Sequence, residues 1–166
     1  MKKIIILLLT VCFSLQMSAQ TNLNHLQLSV GALYERGLEA NIAISHETRY
    51  HNAWEFFASY YLKYDKDENA GHITKESFWH SYNTWWGGAA YKPCVARGRN
   101  KHGNLRIGAF LGSDLDKVIG GGTLGYEHSY ALRHGFEFFW KIKEDIVIGG
   151  KDVFRTAAEL GLKIPL

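Results

Sequence analysis

The chain is poor in cysteine and proline, and past its first residues it has no long apolar run. Its 166 residues include 2 Cys and 2 Pro against 17 Gly. Glycine without proline suits strands and tight turns better than long helices or a proline-rich linker. Nothing after residue 20 approaches the ~18 consecutive apolar residues of a membrane helix. Charge of one sign is scarce too. The formal net charge of +3 is too small to make nucleic acid a default partner. Apolar residues make up 46% and aromatics 14%, which excludes disorder, and the length fits one domain.

The start of the chain reads as a secretory signal peptide. Lys2 and Lys3 precede an apolar stretch from Ile4 to Leu15, and Met17-Ser18-Ala19 offers a small residue at the cut. The expected division is residues 1–19 as signal peptide and 20–166 as a single barrel domain. An apolar stretch of about 12 residues is too short to span a ~30 Å hydrocarbon core as a retained anchor. Leu9-Thr10-Val11-Cys12 is a poor lipoprotein box, because Val11 is too large before a lipidated cysteine. Removing the leader takes Lys+Arg from 19 to 17 against 16 Asp+Glu, a net charge of +1. It also removes Cys12, so Cys94 has no internal disulfide partner.

The rest of the chain alternates. Leu26, Leu28, Val30, Ala32 and Tyr34 share one face, and Leu38, Ala40, Ile42 and Ile44 share the next. Trp54, Phe56, Ala58, Tyr60, Leu62 and Tyr64 follow. Period 2 means strands. A fourth, aromatic strand is expected from Phe78 to Tyr91. Further strands are expected around 105–111, 123–130, 136–142 and 154–166, making eight in all.

A soluble barrel turns its large apolar face inward, and a membrane barrel turns it toward lipid. Three features favour lipid: small and charged residues on the other face, strands near the ~9–11 residues a tilted membrane strand needs, and Tyr and Trp near strand ends (Tyr34, Trp54, Tyr64, Trp79, Tyr91, Tyr130). The expected fold is all-β, an eight-stranded antiparallel up-and-down barrel of outer-membrane type. The alternative is a soluble periplasmic lipocalin-like barrel binding an apolar ligand. In the membrane reading Glu39, Glu55, Glu127, Glu137 and Glu159 face inward with Lys63, Arg106, Lys141, Arg155 and Lys163. Buried charges are costly unless paired, so this balance suits a packed lumen without an open pore.

With both termini periplasmic, the turns separate by charge. One end is expected to hold Glu35, Asp65, Asp67, Glu68, Glu76, Asp114, Asp116, Glu144, Asp145 and Asp152, with Arg36, Lys66, Lys75, Lys117, Lys143 and Lys151. Ten acids against six bases is a net −4. The periplasmic end is expected to hold Arg49, Lys92, Arg97, Arg99, Lys101 and Arg133 against Glu47, a net +5. Lys92, Arg97, Arg99 and Lys101 are the candidate docking residues for an acidic partner.

Motifs for chemistry mostly fail. Asp65, Asp67, Asn69 and Glu76 sit at oxygen-ligand positions of a calcium-loop template, but position 6 is Ala70 and the flanks are strands. Gly120, Gly122 and Gly125 have dinucleotide-loop spacing without a following helix. The histidines show no metal-ligand spacing, and no serine or cysteine sits in a nucleophile elbow. No catalytic residue, cofactor, metal site, small-molecule substrate or direct nucleic-acid contact is expected.

Some stretches carry a family resemblance. They are Thr74-Lys75-Glu76-Ser77-Phe78, the run Gly120-Gly121-Gly122-Thr123-Leu124-Gly125-Tyr126-Glu127, and the closing stretch from Trp140 to Ile164 with Ile148-Gly149-Gly150 and Phe154-Arg155-Thr156. In these the chain resembles the conjugal transfer protein TraO family of conjugative transposons. The resemblance implies an exported, non-enzymatic outer-membrane component of a conjugative DNA-transfer apparatus. Its partners would be outer-membrane lipid and other proteins of that apparatus.

Overall fold

The computed structural model describes residues 23–34, 36–64, 72–79, 82–114 and 116–166. The leader lies outside them. The strands are β1 (Leu23–Leu33), β2 (Gly37–Glu47), β3 (Ala53–Lys63), β4 (Tyr82–Lys92), β5 (Cys94–Arg97), β6 (Lys101–Ser113), β7 (Val118–Ala131), β8 (Glu137–Ile148) and β9 (Phe154–Pro165). A short helix, α1 (Lys75–Trp79), precedes β4. Every pairing is antiparallel, in the order β4-β3-β2-β1-β9-β8-β7-β6-β5. β4 also pairs with β6, from Trp85↔Ser113 to Tyr91↔Ile107, and this closes the sheet. β5 continues β4 past Pro93 with a register shift between Cys94 and Ala96, so nine segments make an eight-stranded barrel.

The end holding Leu23 and Leu166 is here called the base. The Leu166 amide donates to the Asn24 carbonyl at 2.9 Å and ties the start of β1 to the residue after β9 there. The other end, with the connections after β1, β3, β6 and β8, is the crown.

Alternation explains the wall. In β2, Gly37 to Ser45 alternate strictly between buried and exposed. The exposed set is apolar: Leu28, Val30, Ile42, Ile44, Phe56, Leu111, Leu124 and Leu160 all face outward. The buried set is largely polar. A lipocalin-like barrel needs the reverse, a polar exterior around an apolar lumen. Outward aromatics lie at both ends: toward the base the Trp54 and Tyr91 rings are 5.0 Å apart and His128 stacks on Trp140, and toward the crown Tyr34 and Trp85 are exposed.

Several strand ends differ from the sequence expectation: β6 starts at Lys101 and β7 at Val118, each some residues earlier than the alternation suggests. Phe78 and Trp79 belong to α1, and β4 starts at Tyr82. The Thr74 hydroxyl accepts the Ser77 amide at 3.2 Å, and the Ser77 hydroxyl accepts the Thr74 amide at 3.0 Å. This reciprocal cap starts a helical turn where alternation alone suggested strand. β8 runs on to Ile148, because Lys143, Asp145 and Val147 keep the inward period of Lys141.

Glycine makes room inside. Phe110 stands opposite Gly88 on one side and Gly121 on the other, and Phe139 stands opposite Gly161. A Cβ at Gly161 would collide with the Phe139 ring and the Leu28 carbonyl. Gly161→Val is therefore expected to destabilise the barrel by about 1–3 kcal/mol. Urea unfolding in detergent micelles checks this; an unchanged midpoint would refute the packing argument.

Candidate functional site

The lumen is the most constrained part of the molecule. Its buried charges are seven acids (Glu39, Glu47, Glu55, Glu127, Glu137, Asp145, Glu159) and six bases (Lys92, Arg106, Lys141, Lys143, Arg155, Lys163). Nine of the ten expected inward charges are among them. Lys63 is half-buried at the crown, where it binds Asp152 at 2.7 Å.

The charges form two linked groups. Toward the base, Lys163 bridges Glu127 at 3.0 Å and Glu137 at 3.2 Å. Glu127 also holds Lys92 at 3.0 Å, Lys92 holds Glu55 at 2.7 Å, and Glu55 holds Arg106 at 2.9 Å. Arg106 lies over the Phe57 ring at 4.3 Å and donates to Thr123 at 2.6 Å. In mid-barrel, Lys143 contacts Glu39 at 2.6 Å, Asp145 at 2.7 Å and Glu159 at 3.3 Å. Lys141 and the Ser29 hydroxyl complete the Glu159 carboxylate.

Above these groups the lumen turns aromatic. Tyr61, Tyr82, Trp86 and Phe110 are buried, with the Arg155 guanidinium over Tyr61 at 4.5 Å and Trp86 at 5.2 Å. Crown turns fold over this layer. The Tyr82 hydroxyl donates to Asp114 at 3.0 Å. The Lys117 amide donates to the same carboxylate at 2.8 Å and is the main cause holding it below its ordinary pKa, with Tyr82 adding to the effect.

Several sequence expectations are corrected here. Lys92, expected as a docking residue on a base turn, is buried in the lumen between Glu55 and Glu127. Glu47 is likewise inside, and Lys143 and Asp145 are lumen residues rather than crown-turn residues. The run from Lys141 to Asp145 looks like a charged turn, but Lys143 and Asp145 fall on inward positions and neutralise each other. Asp65, Asp67 and Asn69 lie outside the described residues, as does the side chain of Glu76. Gly120, Gly122 and Gly125 all lie within β7, consistent with strand rather than a phosphate loop.

Arg97, Arg99 and Lys101 are exposed on the hairpin joining β5 to β6. Arg97 donates to the Tyr50 carbonyl at 2.5 Å, the Cys94 amide donates to Asn52 at 2.9 Å, and the Ala131 amide donates to the Asn100 carbonyl at 2.9 Å. These bonds join the three base turns into one plate. Without Lys92 and Glu47 the plate still exposes Arg49, Arg97, Arg99, Lys101 and Arg133, with no exposed acid among its described residues.

No protein-family model and no curated protein matches the chain. A solved structure described as "De novo design of transmembrane beta-barrels" matches with a TM-score of 0.53 and 8% identity, covering 90% of this chain and 100% of that one. The likeness shows the fold: this chain has the fold of a transmembrane β-barrel.

Lys143 tests the lumen network. Among the described residues it is the cation bridging Glu39. Lys143→Met strands that carboxylate and is expected to cost about 3–5 kcal/mol of stability. Adding Glu39→Gln should restore part of the loss. Unfolding of the single and double variants measures the coupling; strictly additive losses would show that the pair does not interact.

Proposed function

We propose that this chain is a non-enzymatic outer-membrane barrel of a conjugative DNA-transfer apparatus, serving as a structural and docking element. The observation that carries the reading is the inside-out wall. An apolar exterior surrounds a filled, ion-paired lumen, and only a hydrocarbon surround makes that exterior favourable. The signal-peptide pattern of residues 1–19 supports export, and the glycine and strand patterns in which the chain resembles the TraO family support the transfer role.

Docking falls to the base plate. Arg97, Arg99 and Lys101 are exposed and held in place by neighbouring turns, and clustered bases of this kind attract an acidic protein face. The partner is then an acidic surface of another component of the apparatus on the periplasmic side.

Fractionation tests the location. Mature protein should pellet with outer membranes and need detergent for release; recovery in the soluble periplasm would sink the reading. The combined change Arg97→Glu, Arg99→Glu and Lys101→Glu should lower transfer frequency at least about tenfold, since reversed charges at a contact repel by several kcal/mol. Barrel abundance should stay constant. Normal transfer at normal abundance would remove the docking role.

A further inference from the structure

The base of the lumen brings together residues that lie far apart in the sequence. Glu47 ends β2, His51 sits in the turn after it, and His102 is the second residue of β6. One ligand atom from each lies within 4.8 Å of the other two. The Glu47 carboxylate meets both rings, with one oxygen 2.5 Å from His51 Nδ1 and the other 3.9 Å from His102 Nε2. The imidazoles are stacked, with centroids 4.3 Å apart. We propose that Glu47, His51 and His102 form a site for a divalent transition-metal ion, zinc above all, at the periplasmic mouth of the barrel.

Three observations support this beyond proximity. First, His102 is buried with a side-chain exposure of 4%, and its Nε2 has no hydrogen-bond partner. Its nearest carboxylates, on Glu47 and Glu137, are 3.9 and 3.8 Å away, too far for a hydrogen bond and close enough for an ion to sit between. A buried ring nitrogen without a partner is costly, and a bound cation removes that cost. Second, the buried lumen charges leave one acid over, and the base groups Glu47 and Glu137 face the single lysine Lys163, already shared with Glu127. Third, His51 is built into position. Its φ of +61° is left-handed, as at Arg36 and His134 in other turns, a conformation that histidine tolerates better than most residues. The contacts that hold the turn are its own amide on the Thr48 carbonyl and the Asn104 side chain donating to its carbonyl at 2.6 Å.

The chemistry fits zinc better than calcium or magnesium. Two imidazoles and one carboxylate make a borderline-soft donor set, whereas the hard cations take oxygen. Zinc bonds of about 2.0–2.1 Å place tetrahedral ligands roughly 3.3 Å apart. His102 and Glu47, 3.9 Å apart, must then draw in by roughly half an ångström, while the hydrogen bond of His51 to Glu47 at 2.5 Å must open to admit the ion. His51 can supply that movement, since its side chain is 41% exposed. The same exposure is the entry path. Three protein ligands leave one position for water or for a donor from a partner. Lys163 sits on Glu127 and Glu137 and lies 4.0 Å from Glu47, to one side of the trio.

The test is zinc titration of the full-length mature barrel, folded in detergent micelles and stripped with chelator, followed by calorimetry and metal analysis. The expected result is one zinc ion per chain, lost in His51→Ala and in His102→Ala and kept in His46→Ala. His46 lies on β2 outside the trio, bonded to Asn24. His51→Ala changes an exposed turn, so it stays informative if the His102 variant fails to fold. No uptake by the unaltered barrel would overturn the site, as would uptake that survives His51→Ala. A second readout is stability: zinc should raise the unfolding temperature of the unaltered barrel and leave that of His51→Ala where it was.

Discussion

Closure of the sheet is the constraint on which everything else depends. β4 and β6 pair across seven residues, and that pairing leaves no free edge along the wall. In hydrocarbon an unpaired strand edge would leave a row of peptide groups without partners. Closure also turns one face of every strand into the boundary of a sealed, narrow space. Each inward side chain must then be small enough to fit, or polar and paired. The glycines opposite Phe110 and Phe139 meet the first condition, and the ion network meets the second.

The lumen shows how those demands are shared out. The charges toward the base connect Lys163 to Arg106 through Glu127, Lys92 and Glu55, so each cation in the series touches a carboxylate that serves another. Such sharing spreads the desolvation cost of each ion over several partners. Toward the crown, Arg155 takes another route and lies on aromatic faces, where its flat and weakly hydrated guanidinium suits a site with few acceptors. The change from ion pairs to aromatics along the axis makes the two ends of the lumen different. The base end keeps surplus acid and unpartnered imidazole, while the crown end is plugged.

Much of this was legible in the sequence because a barrel strand has an exact period. Glu39, Glu55, Glu127 and Glu159 declare themselves inward by parity with their apolar neighbours, and so do Arg106, Lys141 and Arg155. Parity fails at strand ends, where a charge can belong equally to the last inward position or to the first turn residue. Lys92, Glu47, Lys143 and Asp145 are such cases, and only the partner across the lumen decides each one. At Phe78 and Trp79 local capping by Thr74 and Ser77 outweighs the aromatic pattern of a strand. The Glu47, His51 and His102 cluster had no sequence signal. His51 and His102 come from turns and strands that only the closed barrel brings side by side.

The correction at Lys92 sharpens what the base can do. With Lys92 and Glu47 withdrawn into the lumen, the plate loses one charge of each sign and keeps five exposed bases. Inner and outer charges at this end now oppose each other. The mouth holds Glu47 and Glu137, and the rim holds Arg49, Arg97, Arg99, Lys101 and Arg133. A cation reaching the mouth must pass a positive rim, which slows its approach and favours strongly coordinated ions over weakly held ones. An acidic partner seated on the rim would cancel that barrier and bring its own oxygens near His51. Arg97 and Asn104 both hold the turn of residues 48–52, so the proposed docking rim and the proposed ion site share one structural element.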